Sequence, residues 1–157
     1  MQSQGFQFRT TSDTEVLFFG LKFWGIEVAL KKINGMFAFA WYDQNEQKLT
    51  LARDRVGIKP LFYGFVQGHF CFASEIKALS RNLGMDDLNM HYLAQAYYGV
   101  YETQRHISPF KQIHQLEPGH LLQLDAKTMD LSVVRWFGLE EWVNEAEFNQ
   151  QIGRAHV

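Results

Sequence analysis

The chain is 157 residues long, 46% apolar and 15% aromatic with 14 Phe, which is the make-up of one packed globular domain and not of a disordered segment. Fifteen basic against seventeen acidic residues give a net charge of −2, so no basic field for nucleic acid or anionic lipid is implied. A single cysteine excludes an internal disulfide, the opening MQSQGFQFRTTSD lacks the apolar core of a secretory signal, and the apolar stretch Val16 to Leu30 is broken by Lys22, Gly25 and Glu27, which argues against a membrane span. A cytoplasmic protein is the default expectation.

In chain order, Ser12-Asp13-Thr14-Glu15 fits a capping box, with Ser12 capping, Glu15 reaching back and Asp13 favourable at the positive end of the helix dipole. It opens a long apolar helix predicted over Thr14 to Trp24. Phe37, Phe39 and Trp41 then alternate with Met36, Ala38, Ala40 and Tyr42, a strand whose bulky face is expected to be deeply buried. Asp43 to Glu46 is a polar connection, and Lys48 to Ala52 resumes the alternation, so the pair reads as a hairpin. Arg53, Asp54, Arg55 and Lys59 follow, with Gly57 and Pro60 punctuating the turn. That cluster reads either as an anion-binding patch or, as charged loop clusters more often do, as a solvated or salt-bridged turn. Leu61 to Val66, the Gln67-Gly68 turn and Phe70 to Ala73 give a third and fourth strand, and consecutive antiparallel strands of this kind point to a layered sheet core.

Ser74 and Glu75 resemble a second helix start, and Tyr92, Leu93, Ala96 and Tyr97 give helical spacing to Met90 to Tyr98. Asn82 to Asn89 is a polar connection and Gly99 to Pro109 is irregular. Ile113 to His120 reads as a turn into a strand over Leu121 to Leu124, with Val133 to Phe137 as its partner. Cys71 shares a strand face with His69, the minimum for a Cys/His pair, but a cysteine between two phenylalanines is far more often an inert buried side chain. His91, His106, His114 and His120 lack metal-ligand spacing, and no Gly-rich phosphate loop is present.

The ordered series SDTE (12–15), WG (24–25), NGMFAFA (34–40), LARDR with GIKPL (51–61), FASEIKAL (72–79) and EPGH (117–120) closely resembles the glutamine-hydrolysing asparagine synthetases. The resemblance covers about Phe6 to Trp136 and lies in the later part of their N-terminal glutaminase domain, a class II glutamine amidotransferase. It implies an α+β fold, the N-terminal-nucleophile hydrolase sandwich of two antiparallel sheets between helices, incomplete here at its N-terminus. The expected division is a partial glutaminase domain over 1–138, then a linker or the start of a synthetase domain over 139–151.

The resemblance also assigns chemistry. The family attacks the amide of glutamine with a cysteine at the start of the mature chain, whose own amino group is the base; this chain has Gln2 there. The arginine that meets the substrate carboxylate and the Asn-Gly pair that meets the oxyanion come from segments absent here. Asp13 matches the aspartate that accepts the α-ammonium of glutamine, a role compatible with its place at a helix start. No catalytic residue, metal ligand or cofactor is therefore expected in this chain. ATP and magnesium belong to the synthetase domain of the full-length enzyme, whose SGG-x-DS loop is not here, and a homodimer is one assembly open to that enzyme. A nucleophile-free module that docks on a partner or binds glutamine weakly, and a fragment of a related amidotransferase with another amide acceptor, are the competing expectations.

Ile152 to Val157 (IGRAHV) does not continue the family pattern. It is what ATC-GGA-AGA-GCA-CAC-GTC encodes, one frame of a common sequencing adapter, and these residues are expected not to be of biological origin.

Overall fold

A computed structural model describes residues 8–81, 83–99, 106–138 and 140. The linker and the adapter-like tail expected after 138 lie outside the described residues, Glu140 excepted. By compactness the chain forms two units, residues 1–35 and 36–157.

The first unit is helix α1, Asp13–Lys32. Ser12 caps it, its Oγ accepting the Thr14 N–H at 3.2 Å. Glu15 does not complete the predicted box. The Ser12 N–H already donates to Thr10 Oγ1 at 3.3 Å, and Glu15 instead accepts the backbone N–H of Arg9 (3.0 Å) and of Thr10 (2.8 Å) and the Thr10 hydroxyl (2.6 Å). The carboxylate thus clasps the turn before the helix. Gly25, at φ +74°, breaks the helical path, which is why the sequence pattern ends at Trp24 while the helix resumes to Lys32. No helix among the described residues is long and apolar enough to cross a membrane.

The second unit contains β1 (Ala38–Asp43), β2 (Lys48–Arg53), β3 (Phe62–Val66), β4 (His69–Ala73), α2 (Ile76–Ser80), a 3-10 turn over Met85–Asp87, α3 (Met90–Tyr97), β5 (Ile113–Gln115), β6 (His120–Asp125) and β7 (Leu131–Arg135). The four early strands do not share a sheet. The first hairpin enters a four-stranded sheet in the order β1-β2-β6-β7, and the second a three-stranded sheet in the order β4-β3-β5. All pairings are antiparallel. Residues opposite one another on a ladder share a face; the register sets Leu49 against Leu124 and Leu51 against Leu122. These leucines meet Tyr63 and Phe70 of the other sheet, and Leu61 and Leu116 beside it, to form the core. Helix α2 packs on the three-stranded sheet.

Four sequence expectations are corrected. Phe37, Phe39 and Trp41 are only half-buried. β1 is an edge strand, and its register puts Phe39 and Trp41 opposite Ala52 and Thr50, on the face away from the leucine core, while small Ala38 packs toward that core. Residues 113–115 are a strand and not part of a turn, too short for alternation to reveal, and β7 ends before Trp136, whose N–H, like that of Phe137, donates to the Gly119 carbonyl. Helix α2 begins after Glu75 without a side-chain cap, because Glu75 pairs with Lys77 at 2.6 Å. By contrast α3 is capped by Asn89, which accepts the Tyr92 N–H at 3.2 Å. The Gln67-Gly68 turn has φ +51° and +80°, the two left-handed positions of a hairpin turn whose twist matches the strands.

Candidate functional site

Asp13 is the first residue of α1 and is exposed. Among the described residues no hydrogen bond or ion pair engages its carboxylate, whereas its neighbours Ser12 and Glu15 are both committed to the helix start. The helix N-terminus favours a negative charge there. An exposed carboxylate without an internal partner is chemically suited to accept an ammonium group from a ligand. The sequence motif that locates Asp13 is the same one that builds the cap.

The Arg-Asp turn begins with two buried residues and is not solvated there, as charged loop clusters usually are. Arg53 is 6% and Asp54 1% exposed. Arg53 follows the buried run of β2, so its guanidinium is drawn inside and finds carbonyls there. Nε donates to Lys59 O at 2.8 Å, Nη1 to Leu116 O at 2.6 Å and Nη2 to Gly57 O at 2.7 Å. Asp54 works in the complementary sense: Oδ1 accepts the N–H groups of Val56 (3.2 Å) and Ile58 (3.0 Å), and Oδ2 that of Lys59 (3.0 Å). Its own carbonyl accepts the Gly119 N–H at 2.9 Å.

The fork therefore closes the 54–59 loop on itself and ties it to the segment between β5 and β6. Burial works against the charge of both groups. For Arg53 it wins and lowers the pKa, opposed by nearby Asp54; for Asp54 the N–H donors of Lys59, Ile58, Gly57 and Val56 overcome it and hold the carboxyl below its usual range. Arg55 lies over the rings of Trp136 and Phe137, 5.7 and 5.3 Å from their centroids.

Cys71 sits in β4, partly buried and opposite Gly64. His69 is exposed and its Nδ1 lies 3.0 Å from the Gln67 carbonyl, so the ring is held at the hairpin turn. Among the described residues no hydrogen bond links His69 to Cys71. The pair has the right strand face and lacks the geometry for a thiolate and its base.

One constellation escaped the sequence pattern. Tyr63, Gly64, Phe65, His106, Gln112, His114 and Leu131 line an open cleft of about 570 Å³. The rings of Tyr63 and His114 lie 5.6 Å apart, His106 Nδ1 is 3.3 Å from Glu117 Oε1, and His120 Nε2 is 3.9 Å from Glu117 Oε2. Burial, then the nearby His106, holds His114 below the ordinary histidine value; burial, then the Glu117 charge, raises Tyr63. Gln112 is already donating to Asp87 at 2.7 Å. These residues come from three separated segments, so no spacing rule could collect them. Among the described residues no three His, Cys, Asp or Glu side chains are placed to hold a metal ion.

Residues 1–137 match the family model described as the glutamine amidotransferase domain. The chain is 31% identical over 156 residues to asparagine synthetase [glutamine-hydrolyzing] 3 of Bacillus subtilis, a match covering 97% of this chain and 24% of that protein. To asparagine synthetase [glutamine-hydrolyzing] 2 of the same organism it is 34% identical over 142 residues, covering 85% of this chain and 18% of that one. The chain thus spans a quarter or less of these relatives. Among solved structures, glutamine phosphoribosylpyrophosphate amidotransferase from B. subtilis, complexed with ADP and GMP, superposes with a TM-score of 0.58 at 21% identity over 87% of this chain and 25% of that one. This likeness is one of fold, the α+β architecture of antiparallel sheets and helices of the N-terminal-nucleophile amidotransferases. The motif series, the two-sheet sandwich and the domain match agree, and the chain belongs to the glutamine amidotransferase domain family.

Proposed function

We propose that this chain forms part of the glutaminase unit of a glutamine-dependent asparagine synthetase, and that Asp13 receives the α-ammonium of glutamine. The observation that carries the reading is the family match over residues 1–137 together with relatives of that printed activity. In the proposed reaction the side-chain amide of glutamine is hydrolysed to glutamate and ammonia, and the ammonia amidates an activated aspartate. The work of these residues is to bind and to hold. Asp13 orients glutamine through its charged end, and the Arg53-Asp54 fork fixes the loops around β2 and β6.

In this reading the attacking group comes from elsewhere, because among the described residues no hydrogen bond joins Cys71 to a base and no other cysteine exists in the sequence. Activation of aspartate with ATP and magnesium belongs to residues outside this chain, and the cytoplasm is the proposed setting. The test is a direct assay for ammonia release from glutamine by the purified chain and by its Cys71→Ala variant. Neither is expected to release ammonia; release that disappears in Cys71→Ala would overturn the reading. In a full-length enzyme carrying this sequence and its own nucleophile, Asp13→Asn is expected to raise KM for glutamine, and an unchanged KM would remove Asp13 from the site.

A further inference from the structure

We draw no further inference here: the strongest candidate, the open cleft beside β3, β5 and β7 where Tyr63, His106 and His114 face Leu131, rests on a half-exposed, unpartnered face, and nothing in the structure shows what covers or fills it.

Discussion

The guanidinium of Arg53 donates a 2.6 Å hydrogen bond to the carbonyl of Leu116, 63 residues further along the chain. Through this bond a residue at the end of a strand in the four-stranded sheet holds the segment that leaves β5 of the other sheet, just where Leu116 enters the shared core. Two further bonds from the same planar group fix the carbonyls of Gly57 and Lys59. Replacement by lysine keeps the charge and loses the fork. Arg53→Lys is expected to lower unfolding free energy by about 2 kcal/mol, and Arg53→Met, which leaves three carbonyls without their donor, by about 3 kcal/mol or more. Urea unfolding of the two variants checks this; equal midpoints for wild type and Arg53→Met would mean that the fork contributes nothing.

Acid should weaken the fold in two stages with distinct causes. The neutral form of His114 is favoured in the folded chain, so its contribution is present above the unfolded histidine pKa of about 6.5 and is lost as pH falls through the lower folded value. Asp54 is likewise depressed. Its contribution is full above the unfolded carboxyl value of about 3.9 and is lost as pH falls through the folded one. Thermal midpoints measured from pH 8 to pH 3 are expected to fall across both windows. His114→Phe should flatten the upper window alone and Asp54→Asn the lower one; a His114→Phe profile parallel to wild type would refute the first assignment.

Gly64 lies where β3 passes between β4 and β5, and a Cβ built on it would sit 1.9 Å from the backbone carbonyl oxygen of Gln112. No side-chain rotation relieves a clash with backbone, so the short β3–β5 pairing has to give way. Gly64→Ala is expected to cost more than about 2 kcal/mol, beyond the usual range for a surface strand position. Hydrogen exchange would localise the damage to the amides of 113–115, and full protection there would show that the approach is not so close.

At the start of α1 the two acidic residues should separate cleanly. Among the described residues Asp13 has no side-chain partner and is placed to interact with the helix end, so Asp13→Asn is expected to change stability by about 0.5 kcal/mol or less. If it binds the ammonium of glutamine, its loss should raise KM for glutamine roughly 10- to 100-fold in an enzyme that has its nucleophile, the equivalent of a charged hydrogen bond. Glu15→Gln should do the reverse, loosening the turn at Arg9 and Thr10 with little effect on KM. Helix content by circular dichroism and glutamine kinetics, measured on both variants, separate the two roles. A matched loss of both properties in Asp13→Asn would reduce it to a structural cap.

Much of this chain was legible before any coordinates. Period-two alternation located β1 to β4 and β6, because in a strand side chains alternate faces whatever the partner is. The Ser12 cap followed from local chemistry and helix α3 from its helical spacing, and the motif order carried the family. Local pattern failed where a competing or distant partner decides. Glu15 was drawn from Ser12 to Thr10 by a competing hydroxyl. β5 is three residues long and exists only because β3 lies beside it.

Sequence alone therefore located most of the strands and helices and the family the chain joins, and through the family resemblance it offered Asp13 as a candidate for a glutamine contact. Only the tertiary structure decided that the two early hairpins part into different sheets, that small Ala38 and not its bulky neighbours turns to the core, and that Arg53 and Asp54 are buried. The reason is physical: periodicity reports which residues share a face, but which face is covered, and which carbonyls await a buried guanidinium, depends on segments as distant as Leu116.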